Sequence, residues 1–151
     1  RRSFVKNSVG LIPVLTSNNH ISGYIASSSN TQEIEGSNAF MGITGGRATW
    51  KGSSNMNSWL QIKCLEPVRI YKVAICGGAE INKITLWELQ GKNDGSAWST
   101  IYTGKDMENS TRFFNVNTAI AYQYYRIQIL SANSSTPAIR YWQMYSLDPI
   151  V

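Results

Sequence analysis

The sequence predicts an all-β sandwich or barrel, and three observations carry that prediction. Short runs in which apolar and polar residues alternate recur along most of the chain, clusters of Gly, Asn, Asp and Ser separate them, and no stretch shows the periodicity of an amphipathic helix. At 151 residues, with 42% hydrophobic and 15% charged residues, the chain is one globular domain with room for a real core. About eight strands are expected, and there is no internal repeat.

Residues 1–11 lack a clean period and read as a linker or tail, with the domain occupying 12–151. The chain opens Arg1-Arg2, not with Met, which suggests a piece of something larger. Leu11-Ile12-Pro13-Val14-Leu15 is apolar, and Pro13 restricts it to an entry or edge strand because proline has no N–H to give a ladder. Tyr24-Ile25-Ala26 is a short strand inside a Ser/Asn-rich stretch. Residues 36–57 form a long loop-rich segment carrying Gly36, Gly42, Gly45, Gly46 and Gly52 together with Arg47, Trp50 and Lys51; long loops in compact domains are usually functional.

Residues 58–76 (SWLQIKCLEPVRIYKVAIC) hold two alternating runs around Glu66-Pro67 and are expected to form a hairpin. Residues 83–90 form the next strand. Asn93-Asp94-Gly95 is a turn, since Asn, Asp and Gly tolerate positive φ, and 97–102 is the hairpin partner. Strands at 112–116, 121–130 and 139–147 complete the set. Trp59, Trp87 and Trp98 sit at strand positions and are expected in the core, while Trp142 fits either the core or the surface.

The net charge of +5 does not indicate nucleic-acid binding, because Lys and Arg are scattered singly apart from Arg1-Arg2. No apolar run approaches the ~20 residues of a membrane span. Cys64 and Cys76 fall at opposite ends of the expected hairpin, too far apart to bridge, so two buried reduced thiols and assembly in a reducing cytoplasm are expected. Two cysteines and one histidine do not make a tetrahedral zinc set. There is no nucleophile elbow and no recognisable carboxylate pair, so the expectation is a non-enzyme.

Several segments taken in order resemble the discoidin, or coagulation-factor type C, domains, of the kind found in bacteriophage and bacterial surface-binding proteins. Ala26-Ser27-Ser28, Ala39-Phe40-Met41-Gly42 with Thr49-Trp50-Lys51, Trp59-Leu60-Gln61-Ile62 through Val68, the run 89–98 (LQGKNDGSAW) and Tyr124-Tyr125-Arg126-Ile127 are similar to family segments, over roughly 12–148. The resemblance implies a galactose-binding-like jelly-roll β-sandwich whose ligand mouth is made by loops at one end. It also implies that calcium, which the family often holds through an acidic residue before Gly42, is disfavoured, because that position is Met41 and a thioether suits a hard cation poorly. Galactose-binding members tend to carry an arginine where this chain has Gly77-Gly78-Ala79-Glu80, so galactose specificity does not carry over.

On that resemblance the candidate ligand-binding residues are His20, Tyr24, Arg47, Trp50, Lys51, Glu80, Asn82, Arg140 and Tyr141. His20, the only histidine, is either a contact in the mouth or a solvated loop residue. Trp50 could stack on the apolar face of a sugar, but packing beneath the loops, as in the family, is the leading reading. Arg47, Lys51, Arg140, Tyr141, Glu80 and Asn82 lie on loops that would gather at one end and could hydrogen-bond vicinal hydroxyls or a carboxylate; ordinary solvated charge is the rival reading for each. The function expected is a non-catalytic adhesion module that binds cell-surface glycan, the receptor-binding part of a larger protein such as a phage tail or virion component, located on a virion or extracellular surface. The alternative is an assembly domain contacting other subunits, with Tyr122 or Tyr145 exposed. Membrane insertion through apolar loop spikes ranks low, because the loops are polar.

Overall fold

In the computed structural model, which describes residues 3–19, 21–29, 39 and 49–149, ten β-strands make two antiparallel five-stranded sheets. In chain order these are β1 (Phe4–Lys6), β2 (Ile25–Ser28), β3 (Trp50–Lys51), β4 (Trp59–Val68), β5 (Ile70–Gly77), β6 (Ile84–Lys92), β7 (Ser99–Lys105), β8 (Arg112–Asn115), β9 (Tyr122–Ala132) and β10 (Ala138–Pro149). One sheet runs β1-β10-β5-β8 with β3 also bonded to β10; the other runs β2-β4-β9-β6-β7. The described residues form an all-β fold, and a 3-10 turn at Glu80–Asn82 lies between β5 and β6.

Alternation decides which side chains meet. Leu60, Ile62 and Cys64 of β4, Tyr125, Ile127 and Ile129 of β9, and Trp87 and Leu89 of β6 are buried from one sheet. Ile70, Val73 and Ile75 of β5 and Trp142 and Met144 of β10 meet them from the other in one contiguous core. Each such side chain contributes about 1.5–3 kcal/mol on leaving water.

The stretch 58–76 is not a hairpin. β4 pairs with β2 and β9, and β5 pairs with β10 and β8, so the two strands belong to different sheets. Glu66-Pro67 is carried inside β4, where the pairing with β9 shifts register between Lys63 and Val68, and Arg69 alone joins β4 to β5. A hairpin would have set two apolar faces side by side, each needing outside cover; the arch turns them towards each other across the core. Arg69 holds the crossing, with Nε donating to the Thr118 carbonyl at 2.6 Å and the guanidinium lying 4.4 Å from the Phe4 ring centroid. Cys64 and Cys76 thereby fall in separate sheets, and both are free and buried.

Other expectations are corrected at the chain's start. Phe4–Lys6, in the expected linker, pairs with Leu147–Pro149 as an edge strand. The apolar segment after it is no strand. It is held to β10 by Leu11 N–H donating to the Met144 carbonyl and by the Gln143 side chain, which accepts from Ile12 N–H and donates to the Ile12 carbonyl, all at 2.8 Å.

Two tryptophans expected in the core point outward. Trp59 shares strand parity with Gln61 and Lys63, and its neighbours Leu60 and Ile62 take the core. Trp98 precedes β7 and is half-buried against the same outer face. Three cross-strand rows build that face: Trp59–Gln128–Glu88, Gln61–Arg126–Gln90 and Lys63–Tyr124–Lys92. Trp142 is wholly buried. Tyr122 is half-buried, edge-on to Tyr125 at 5.9 Å, and not the free contact the assembly reading wanted.

Candidate functional site

At one end of the sandwich the connections β3–β4, β5–β6 and β9–β10 converge. β3 pairs with the first residues of β10, Ala138↔Lys51 and Ile139↔Trp50, which brings residues nearly ninety positions apart to one edge. Backbone bonds lock the loops together: Gly52 N–H to the Pro137 carbonyl at 2.8 Å, Gly78 N–H to the Ala138 carbonyl at 3.0 Å, and Asn133 N–H to the Lys83 carbonyl at 2.9 Å. At Gly78 the approach is so close that a Cβ would lie 2.5 Å from that of Ala138. Ser58 organises the β3–β4 loop, its Oγ accepting from the Ser53 and Ser54 N–H groups and donating to the Ser54 carbonyl.

Between these loops lies an open depression of about 230 Å³ lined by Thr49, Lys51, Gly78, Ala79, Asn82, Ala138 and Arg140. Its floor is small and apolar; its polar groups come from three separate connections. Asn82 is fixed, since Nδ2 donates to the Thr136 carbonyl at 2.9 Å and to Thr136 Oγ1 at 2.8 Å, which leaves Oδ1 to accept from a ligand. Arg140 stands at the irregularity between Ile139 and Tyr141, where β10 slips register against β5. Bulges re-aim side chains in this way. Its guanidinium also bears on Cys76, whose thiol is pushed up by burial, with Arg140 opposing. Lys51 and Arg140 are donors only, so the depression offers cationic donors and one amide acceptor over an apolar floor. That set suits hydroxyls or a carboxylate.

Of the residues expected at the mouth, Lys51, Asn82 and Arg140 come together here. Glu80 does not line the depression; its side chain is 84% exposed and 3.8 Å from Lys83. Tyr141 sits beside Cys76 on the outer face of its sheet and does not line the depression; burial, then the neighbouring Tyr145, raise its phenol pKa. Trp50 is 0% exposed, because its strand turns it into the core, so it supports the site from below and offers no stacking face. Its indole N–H has no hydrogen-bond partner among the described residues. Tyr24 is also displaced: it is buried near Cys64 and Glu66, at the opposite end of the sandwich, with its phenol pushed up to about 12 chiefly by burial. His20, Arg47 and Met41 lie outside the described residues, as does the calcium position. Sequence reasoning missed Thr49 and Ala138, whose only signal was proximity to Lys51 and Arg140.

Solved structures with the same fold include the family 32 carbohydrate-binding module of NanJ from Clostridium perfringens in complex with galactose, at 16% identity and TM-score 0.73, covering 93% of this chain and 99% of that one. A second module from Clostridium perfringens, in complex with GalNAc-β-1,3-galactose, matches at 16% identity and TM-score 0.69 over 80% of this chain and 94% of its own. A third, the module of AlyQ in complex with 4,5-unsaturated mannuronic acid, matches at 13% identity and TM-score 0.66 over 79% and 92%. No curated protein sequence matches. Residues 24–144 match the F5/8 type C domain, and the chain belongs to that family, the discoidin-like β-sandwiches.

Proposed function

We propose that this chain is a non-catalytic carbohydrate-binding module that takes a cell-surface glycan at the loop end. The observation that carries this reading is the depression in which Lys51, Asn82 and Arg140, from three distant parts of the sequence, surround an apolar floor. The sugars in the complexes of similar modules support it. The loop after β5 brings no arginine, yet Arg140 delivers a guanidinium to the same hollow from β10, so the mouth has a cationic donor from a different strand.

We place the module in a larger adhesion protein, the receptor-binding part of a phage tail or virion component displayed on an outer surface. The free thiols of Cys64 and Cys76 support assembly in a reducing cytoplasm. An assembly role is the second reading, favoured by Phe113, 59% exposed on the outer face of the β1-β10-β5-β8 sheet beside Tyr145.

The test is a glycan array and whole-cell binding screen of the chain, with calcium and with chelator, alongside Lys51→Ala and Arg140→Ala. Sugar binding that survives chelation and falls about tenfold in either variant, the loss of one charge-assisted contact, is the expected result. Absence of binding to any glycan together with a stable oligomer in solution would transfer the assignment to the assembly role.

A further inference from the structure

The outer face of the β2-β4-β9-β6-β7 sheet carries a ladder in which rings and cations alternate. Arg126 lies between two tryptophans, its guanidinium 4.2 Å from the Trp98 centroid and 5.8 Å from that of Trp59. Lys92 bridges Trp98 and Tyr124 at 5.6 and 5.5 Å, and Lys63 closes the series 5.6 Å from Tyr124. Trp59 and Lys63 are four residues apart on β4, so the ladder spans about 13 Å along the strand.

Charge on this face is unbalanced in a specific way. Among the described residues, two carboxylates on it are satisfied by neutral donors: Glu88 accepts from Gln90 Nε2 at 2.9 Å and Thr100 Oγ1 at 3.2 Å, and Asp94 accepts from the Tyr124 hydroxyl at 2.8 Å. Among the described residues none of the three cations is paired with a carboxylate, and the one ion pair is Lys83 with Glu80, elsewhere. Arg126 spends only Nε, on Gln90 Oε1 at 2.9 Å. A cation held against a ring keeps its remaining N–H donors for an anion, and a half-buried site strengthens that attraction.

We propose that this sheet face is a second binding site, separate from the loop end, and that its occupant is a strand of acidic polysaccharide. Negative groups along the polymer meet Lys63, Lys92 and Arg126, while the amide of Gln61 in the row between them meets hydroxyls. The broad ring faces favour the C–H side of a sugar over a charged peptide. A nucleic acid fits less well, because a planar base needs a whole ring face, whereas the few C–H groups of a sugar need only the part a cation leaves open, and Trp98 has Arg126 against one face.

The probe is an oligogalacturonate of defined length, with its fully methyl-esterified form as the uncharged control, titrated calorimetrically into the whole chain. Three proteins are compared: wild type, Lys63→Gln/Lys92→Gln, and Lys51→Ala/Arg140→Ala. The expected result is binding of the acid and not the ester, weakened at least about tenfold by the sheet-face pair, and within about twofold of wild type in the loop-end pair. Raising salt across roughly 0.05 to 0.5 M weakens it further, since the charges are only half-buried. Amide NMR shifts on adding the acid, read on the wild type and so independent of any variant's folding, are expected along 59–63 and 124–128. Equal binding of acid and ester, no binding of the acid, or loss confined to the loop-end pair with shifts at 78–82 would each overturn the proposal. Displacement of the acid by an equimolar thymidine oligonucleotide would overturn it in favour of single-stranded nucleic acid.

Discussion

Among the described glycines, Gly104 is the one where an added methyl group meets the closest obstacle. It lies on β7 opposite Trp87, and a Cβ there would sit 2.6 Å from the indole Nε1 and closer still to Cε2 and Cζ2. Ordinary carbon contacts are about 3.5–4.0 Å, so Gly104→Ala demands a displacement on the order of 1 Å. The neighbour that must yield is a rigid bicycle, fully buried, with Phe114 edge-on at 5.5 Å and Tyr102 at 5.6 Å. It has no flexible tip to swing aside, so β7 must move off β6 or the indole must leave its slot. Overpacking of this kind costs about 1–3 kcal/mol, and the rigidity of the obstacle puts Gly104→Ala at the upper end. At about 2–4 °C per kcal/mol for a domain of this size, the melting temperature falls by roughly 6–12 °C. Urea unfolding followed by tryptophan fluorescence measures the loss, with Gly95→Ala as comparison. Gly95 has φ +77 and nothing near its absent Cβ, so it loses only the ~1–2 kcal/mol of a left-handed alanine. A Gly104→Ala protein within about 0.5 kcal/mol of wild type would refute the packing reasoning.

Thr118→Val should cost about 1–3 kcal/mol by equilibrium denaturation, since the buried hydroxyl accepts from Ile70 N–H at 3.0 Å and its loss leaves that donor dry. Asn82→Ala should weaken glycan binding at the loop end more than it lowers the melting temperature, because the amide ties the partly exposed 133–137 loop and costs only ~0.5–1.5 kcal/mol; equal affinity in a direct titration would count against the site. Burial raises the Cys64 thiol from 9.0 to about 12 and the Tyr24 phenol from 10.0 to about 12. Both groups are neutral when protonated, so their contribution is whole below the unfolded values and is lost as pH rises from about 9 towards 12; urea midpoints should fall across that window and stay flat from these groups below it. Native protein at pH 8 should leave both thiols unreactive towards a disulfide reagent until denaturant is added, because both are buried.

The second half of the chain was legible because its signals are local. Asn93-Asp94-Gly95 forms the turn that joins β6 to β7, with Ser96 N–H bonded to the Asn93 carbonyl and Gly95 at positive φ. Alternation through β9 named its buried face, whereas for β10 it left Trp142 open between core and surface. Partner choice is not local, and that is why 58–76 was misread: alternation says that a strand has one buried face, not which strand lies beside it. Trp59 had the correct parity written next to it, in Gln61 and Lys63, but its size argued for the core. The candidate site shows the same division. Lys51, Asn82 and Arg140 were recognisable as loop polar residues, whereas their meeting depends on β3 pairing with β10. Tyr24 was drawn to the mouth by loop composition, yet the pairing of Ile25 with Lys63 sends it to the other end.

β10 is hydrogen-bonded to β1, β3 and β5, and none of these three strands pairs with another of them. On a ribosome, therefore, the β1-β10-β5-β8 sheet has no central member until residues 138–149 have been made. The β6–β7 hairpin can close early and β5 can pair with β8, but β1, β3 and the other edge of β5 must wait for a strand more than sixty residues beyond the last of them. Nascent chains paused before residue 138 should be protease-sensitive and prone to chaperone capture, and folding should arrive late and abruptly, as docking of a final strand.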